Sequence, residues 1–210
     1  MVDKGLLIVI SGPSGAGKGT LCKALLNKRC DLSISVSMTT RSPRAGEVEG
    51  RNYFFVDKDK FESMIEKNGF LEYACVYDNY YGTPREYVEN LVNSGKDVIL
   101  EIDIQGALKV KEVYPEGVFI FILPPSMEEL KNRIKKRGSE TEESLILRFK
   151  SAYKELNYVS KYNYVVINDT VDNSVEKLHS IIIAEKCRVD RYKDSILNSK
   201  EGLLHEQFYD

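Results

Sequence analysis

The stretch Gly12-Pro13-Ser14-Gly15-Ala16-Gly17-Lys18-Gly19-Thr20 fits the pattern G-x-x-x-x-G-K, with an apolar run before it and a helical pattern after it. That spacing suits one chemistry. Glycines let the backbone curl until several N–H groups point at one anion, and a helix starting near Lys18 adds the positive end of its dipole. Lys18 supplies a point charge for the outer phosphates of a polyphosphate. Many such loops carry Ser or Thr directly after the lysine, on magnesium. Here Gly19 takes that place and Thr20 follows, so either Thr20 contacts phosphate or metal, or the ion is held by phosphates and water. A glycine-rich turn with an exposed lysine is the plainer alternative, and the flanking strand and helix patterns argue against it.

A second cluster lies downstream. Ser37-Met38-Thr39-Thr40-Arg41-Ser42-Pro43-Arg44 gathers hydroxyls and arginines, and Arg51 and Tyr53 follow. Arginine forks match phosphate oxygens bidentately. A cradle plus a separate Arg/Tyr cluster suggests two phosphorylated ligands, against a solvated turn of ordinary arginines. The segment YDNYYGT brings Tyr77, Tyr80 and Tyr81 together. Tyr53 and Tyr81 are expected on a ligand, Tyr77 and Tyr80 in packing. In LEIDIQG, alternation puts Glu101 and Asp103 on one face. Carboxylates at a strand end can orient hydrated magnesium or take a ligand hydrogen bond; capping the next helix is the structural alternative.

These groups need a rigid frame. Leu6–Ile10, Val98–Ile102, Val118–Leu123 and Tyr164–Ile167 read as buried strands, and Ser33–Met38 as a weaker one. Helical patterns cover Lys18–Asn27, Ala107–Glu112, Met127–Lys136 and Val175–Lys186. Alternating strands and helices predict an α/β fold, a mainly parallel sheet with helices on both faces. Thr83-Pro84 reads as an N-cap with proline first in a helix that Gly95 stops, Ser126 with Glu129 as a capping box, and Asp57 and Gly69 as brackets around a helix at Lys58–Asn68. Residues 37–82, rich in Tyr, Phe, Gly and Arg, read as an inserted α+β module of short antiparallel strands, Tyr53–Val56 and Phe70–Val76, around one helix. Lys135–Asn157 is charged and reads as a mobile helical flap. The expected division is therefore a core of 1–36, 83–126 and 158–187, the insert 37–82, a helical lid 127–157 and a C-terminal extension 188–210.

Composition sets limits. A chain of 210 residues, 42% hydrophobic and 30% charged, supports one core with small insertions. Thirty basic against 32 acidic residues leaves a net charge of −2, which disfavours a nucleic-acid partner. No apolar run approaches the ~20 residues that span a bilayer, and no secretory signal precedes the first strand. Cys22, Cys30, Cys75 and Cys187 form no C-x-x-C pair, and the histidines are His179 and His205, so a zinc cluster is not expected and a reducing cytoplasm is. The tail from Arg188 to Asp210 fits packing on its own core or on a second subunit, so both a monomer and a homo-oligomer are open.

The pieces ISGPSGAGKGT, SVSMTTRSPRAGEVEGRNYFFV, FLEYACVYDNYYGT, VILEIDIQG, RGSETEESLILRF and VINDT lie in order between Ile10 and Thr170. Together they make the chain resemble guanylate kinase, of the nucleoside monophosphate kinase group with a P-loop fold. The tail beyond Lys186 matches no motif. The resemblance implies phosphorylation of GMP to GDP, and of dGMP to dGDP, by ATP with Mg2+, in a core, a GMP-binding insert and a lid. It implies that Arg41, Arg44, Tyr53 and Tyr81 hold the GMP phosphate. Ser37, Glu72 and Thr83 would read guanine, and Asp103 and Glu101 would lie beside the base or the metal's water shell. Lys18, Arg41 and the lid residues Arg137 and Arg148 would carry the charge of transfer, and Asn168 would lie near adenine. The family frequently has serine at the Thr83 position, and Thr keeps the hydroxyl. Guanine offers two adjacent donors and an acceptor, which a carboxylate and a hydroxyl complement; adenine's N1 would face Glu72 with a lone pair. A surface glutamate is the plain alternative for Glu72, and ordinary surface arginines for Arg137 and Arg148. Two rivals remain: another kinase on this scaffold, for AMP, UMP or a small metabolite, and a non-catalytic binding module of the same fold.

Overall fold

The computed structural model describes residues 4–76, 78–136 and 142–192. The chain runs β1 (Leu7–Ser11), α1 (Lys18–Lys28), β2 (Leu32–Ile34), β3 (Met38–Thr39), β4 (Phe54–Phe55), α2 (Lys58–Glu66), β5 (Phe70–Val76), β6 (Asn79–Pro84), α3 (Arg85–Asn93) and β7 (Asp97–Glu101). It continues through α4 (Ile104–Val113), β8 (Val118–Leu123), α5 (Met127–Lys136), α6 (Glu142–Leu156), a 3-10 turn at Val159–Lys161, β9 (Tyr164–Ile167) and α7 (Val171–Lys186).

The strands read as continuous apolar runs because both of their faces are covered. β2, β7, β1, β8 and β9 pair in that order, all parallel. On one face Ile8, Ile10, Ile99, Ile120 and Ile122 pack with Leu21 and Leu25 of α1 and Leu178 and Ile182 of α7. On the other, Leu7, Val9, Val98, Leu100 and Phe119 pack with Val88 and Val92 of α3 and Ala107 and Val110 of α4. Each buried side chain of this size contributes about 1.5–3 kcal/mol. At the N-terminal pole of the strands the buried Asp97 carboxylate accepts the Leu6 N–H at 3.0 Å and pairs with Lys186 at 2.7 Å and Arg29 at 3.4 Å, tying β1 and β7 to the ends of α7 and α1. The strand order reverses direction around β1. The crevice at the C-terminal strand ends beside such a reversal is where open α/β sheets take ligands, and the glycine-rich loop lies there.

A smaller sheet runs β4-β3-β6-β5. The expected strand Ser33–Met38 is instead two elements: β2 ends at Ile34 in the core sheet and β3 begins at Met38 in the small one. The insert is also not wholly antiparallel. β3 runs antiparallel to β6 but parallel to β4, with Met38 opposite Phe54 and Thr39 opposite Phe55. The chain between Thr39 and Phe54 is long enough to return to the starting end, which a parallel pair needs. β6 gave no strand signal, because Asn79-Tyr80-Tyr81-Gly82-Thr83-Pro84 has no apolar alternation. Thr83 is accordingly not an N-cap: α3 starts at Arg85, and Pro84 caps it from an extended conformation with no side-chain bond. The insert has its own small core, with Phe61 stacked between Phe70 at 4.3 Å and Tyr80 at 5.2 Å.

α4 and α7 begin earlier than their apolar periodicity, at Ile104 and Val171, because Asp103 and Thr170 cap them. Asp57 caps α2 as expected, but that helix ends at Glu66. Ser126 accepts the Glu129 N–H at 3.1 Å, one half of the expected capping box; the Glu129 carboxylate turns to Arg133 instead, at 2.9 Å. The charged stretch after Lys135 is not all surface. Ala152 is buried with Leu130 and Ile134 in a cluster joining α6 to α5.

Candidate active site

The phosphate loop leaves β1 at Ser11 and enters α1 through Gly17, whose φ of 96° lies in the left-handed region that suits glycine. Lys18 Nζ donates to the Gly12 carbonyl at 2.6 Å and to the Pro13 carbonyl at 3.3 Å, so the cation is folded over its own loop. Burial lowers the Lys18 pKa, and the Glu101 carboxylate opposes that shift. The Glu101 carboxylate also flanks Gly19: a Cβ added there would stand 3.2 Å from Oε1. Thr20 instead lines a cavity of about 250 Å3 with Gly15, Gly17, Arg133, Asn168, Asp169 and Val171. α5 leans directly on the loop, since a Cβ at Gly15 would meet Leu130 Cδ1 and Ile134 Cγ1 at 3.0 Å.

Asn168, at the end of β9, is buried against this loop and donates from Nδ2 to the Ala16 carbonyl at 2.7 Å. Arg133 was not singled out from sequence. Its Nε holds Glu129 at 2.9 Å and its NH2 donates to the Asn168 carbonyl at 3.2 Å, at the rim of the cavity. The available signal was the i,i+4 Glu129–Arg133 spacing, which by itself marks only a helix face. Glu155 is a second such residue: at the end of α6 it lies within electrostatic reach of Lys18 and Asp103, and burial raises its pKa.

The Arg/Tyr cluster is assembled around Arg41. Its guanidinium sits 5.5 Å from the Tyr53 ring centroid and 5.9 Å from that of Phe55, and the Tyr53 and Tyr81 rings are 6.0 Å apart. Arg41 NH2 donates to Glu47 Oε1 at 2.8 Å, and Glu47 Oε2 accepts the Arg44 N–H at 2.7 Å. The Glu47 carboxylate therefore already meets two donors of this cluster, and Arg41 holds its pKa below the usual range. The Arg44 side chain is exposed, and Ser37 precedes β3, its carbonyl accepting the Phe54 N–H at 2.9 Å.

Glu72 on β5 stands opposite Thr83 on β6, and the buried Thr83 hydroxyl donates to Glu72 Oε1 at 2.7 Å. Burial raises the Glu72 pKa, and that hydrogen bond works against the rise. The first turn of α4 closes this corner: a Cβ at Gly106 would lie 3.2 Å from Glu72 Oε2 and 3.4 Å from Asp103 Oδ1. Asp103 spends one oxygen on capping α4, accepting the Gly106 N–H at 2.7 Å. It also lies within electrostatic reach of both Glu72 and Lys18. The N-terminus of α4 thus stands between the glutamate corner and the phosphate loop. Arg137 and Tyr77 lie outside the described residues, as does the tail from 193 onward; Arg148 falls within α6.

Among the described residues no three His, Cys, Asp or Glu side chains converge as a metal cage. Glu101 and Asp103 beside Lys18 fit an ion held by phosphate oxygens and water, with carboxylates outside its first shell. A larger cavity, about 580 Å3, opens at the opposite pole, but its cations are already engaged: Lys186 with Asp97 at 2.7 Å and Arg188 with Asp190 at 2.8 Å.

Comparison with known proteins agrees with this geometry. The sequence pattern of the guanylate kinase family matches residues 4–185. The chain is 70% identical to the guanylate kinase of Clostridium acetobutylicum over 210 residues, covering all of both chains. It is 56% identical to that of Clostridioides difficile, over 96% of this chain and 99% of the other. The crystal structure of guanylate kinase from Anaplasma phagocytophilum superposes with a TM-score of 0.74 at 34% identity, covering 95% of this chain and 97% of that one. The chain belongs to the guanylate kinase family, enzymes that phosphorylate GMP to GDP.

Proposed function

We propose that the chain moves the γ-phosphoryl group of ATP onto the phosphate of GMP, and of dGMP, releasing ADP and GDP or dGDP. A GMP phosphate oxygen bonds to the γ-phosphorus as the bond from that phosphorus to the bridging oxygen of ADP breaks. The acceptor is already an anion, so no general base is needed, and the protein's work is alignment and charge neutralisation. The observation that carries this reading is the Glu72–Thr83 pair, 2.7 Å apart and partly buried, beside the α4 N-terminus, whose Asp103 is also within electrostatic reach of Lys18.

Ionised Glu72 accepts from guanine N1–H and the 2-amino group, and Ser37, or Thr83 once its one hydroxyl proton turns from Glu72, donates to O6. Arg41, Arg44, Tyr53 and Tyr81 take the GMP phosphate, which displaces or joins Glu47 on Arg41. Gly12 to Thr20 cradle the ATP phosphates. Lys18 swings from the Gly12 carbonyl to the phosphates, and Arg133, Arg137 and Arg148 add charge from the lid side. Glu101 and Asp103 would border the water shell of a Mg2+ ion bound with ATP, which would supply positive charge to the phosphate oxygens; they suit that role better than Thr20, which lies along the Asn168 cavity. Free thiols at Cys22, Cys30, Cys75 and Cys187 support a cytoplasmic location.

An ADP-release assay with GMP, dGMP, AMP and UMP as acceptors tests the reading. GMP and dGMP should turn over at least ~100-fold more efficiently than AMP, in line with a polar site rejecting a mismatched ligand. Turnover of AMP without GMP would favour a different kinase on this scaffold, and no turnover of any acceptor would favour a binding module.

A further inference from the structure

We infer that Asn168 is a positioning residue that fixes the shape of the phosphate loop, rather than a reader of the donor's base. The inference rests on the phosphate-transfer reading above for the identity of the ligand. Asn168 is 5% exposed, and each of its polar groups is committed to a different part of the fold. Its N–H donates to the Leu123 carbonyl of β8 at 2.7 Å. Its carbonyl accepts from Arg133 of α5 at 3.2 Å. Its Nδ2 donates to the Ala16 carbonyl inside the phosphate loop at 2.7 Å. Its Oδ1, at 3.3 Å, faces the buried hydroxyl of Ser174 on α7, which also has the Ile167 carbonyl at 3.4 Å and Asp169 Oδ1 at 3.5 Å within reach.

The amide orientation follows from these partners, because only a donor can face the Ala16 carbonyl. The contact also explains the residue after Ala16. A Cβ at position 17 would stand 2.3 Å from Asn168 Nδ2, so the brace requires glycine there on steric grounds as well as for its positive φ. The Ala16–Gly17 peptide is thus held in place by a side chain from the far edge of the sheet. That side chain in turn borders the Ser174 hydroxyl of α7, while its main-chain carbonyl accepts from Arg133 of α5. A loop that binds anions through its own N–H groups depends on their pre-set directions, and Asn168 sets this one. Through Arg133 the same residue links the loop to the lid helices.

The test separates phosphate binding from base binding. Asn168→Ala, Asn168→Asp and Ser174→Ala are compared with the unmodified chain by calorimetry, using ATP and inorganic tripolyphosphate, each with Mg2+, and GMP as a control. Loss of one buried hydrogen bond to the loop should weaken ATP and tripolyphosphate alike, by about 5- to 10-fold in Asn168→Ala. Asn168→Asp should be worse, because a carboxylate would face the Ala16 carbonyl. Ser174→Ala, which touches no ligand in this account, should shift both in the same direction by less. GMP affinity should stay within about twofold, so the KM for ATP rises while that for GMP does not. If ATP binding falls while tripolyphosphate binding holds, Asn168 reads the base and the inference is wrong; it is equally wrong if neither changes. Thermal unfolding identifies a variant that has not folded, in which case Ser174→Ala decides by the same comparison. An unmodified chain that bound neither phosphate ligand would remove the phosphate-loop reading itself, an outcome distinct from failure of the brace.

Discussion

At the scale of single residues, selectivity and stability pull against each other at Glu72. A carboxylate that accepts two guanine donors must be ionised, yet burial raises its pKa. Two consequences have opposite signs. Protonation removes one acceptor, so kcat/KM for GMP should fall as pH drops through the raised Glu72 pKa, and a pH-rate profile for GMP should show that acidic limb. For the folded chain without nucleotide, a carboxyl whose pKa is higher folded than unfolded supports the fold below its unfolded value and loses that support as pH rises through the folded value. Glu72→Gln should therefore unfold at the same or a slightly higher temperature at pH 8, since Gln keeps an acceptor for Thr83 and carries no charge. A clear drop in melting temperature would mean that the carboxylate serves the fold instead.

At the scale of elements, the insert is a small unit with its own core, built on Phe61 between Phe70 and Tyr80. Phe→Ala at a fully buried position costs about 3–5 kcal/mol. Phe61→Ala should loosen β3, β5 and β6 and raise the KM for GMP while leaving the KM for ATP near its starting value, because the phosphate loop stands on the other sheet. Hydrogen exchange should show the loss of protection confined to residues 38–84. Legibility in the sequence followed the same division. The core strands and the loop could be read because burial on both faces leaves unbroken apolar runs and the loop's chemistry fixes its glycines. β6 could not, since its Tyr80, Tyr81 and Thr83 side chains serve aromatic contacts and a hydroxyl–carboxylate pair, neither of which leaves a periodic signature. Thr83 shows the difficulty most plainly: Thr-Pro before a helix is a good cap signal, and only the cross-strand partner Glu72 reveals why the hydroxyl is used elsewhere. Arg133 and Asn168 met the loop from distant parts of the chain, which spacing cannot disclose.

At the scale of the whole molecule, a parallel sheet carries two appendages with separate small cores, the insert around Phe61 and the α5–α6 pair around Leu130, Ile134 and Ala152. Water competes with GMP for the transferring phosphoryl group, so a productive site should close over both ligands. The expectation is a smaller radius of gyration in solution scattering when GMP and a non-transferable ATP analogue are both bound than with either alone. Equal compactness in all states would count against closure. The α4 N-terminus adjoins both sites, since Asp103 lies within electrostatic reach of the glutamate corner and of Lys18.

The central claim is that a partly buried, ionised Glu72 selects the acceptor base for a phosphate loop that holds the donor. It is tested most directly by measuring kcat/KM for GMP and for AMP side by side in the unmodified chain and in Glu72→Gln. An amide offers one donor and one acceptor where guanine needs two acceptors, so GMP efficiency should fall by about 100-fold or more and the preference over AMP should narrow. GMP efficiency and preference that survive the substitution unchanged would contradict the account.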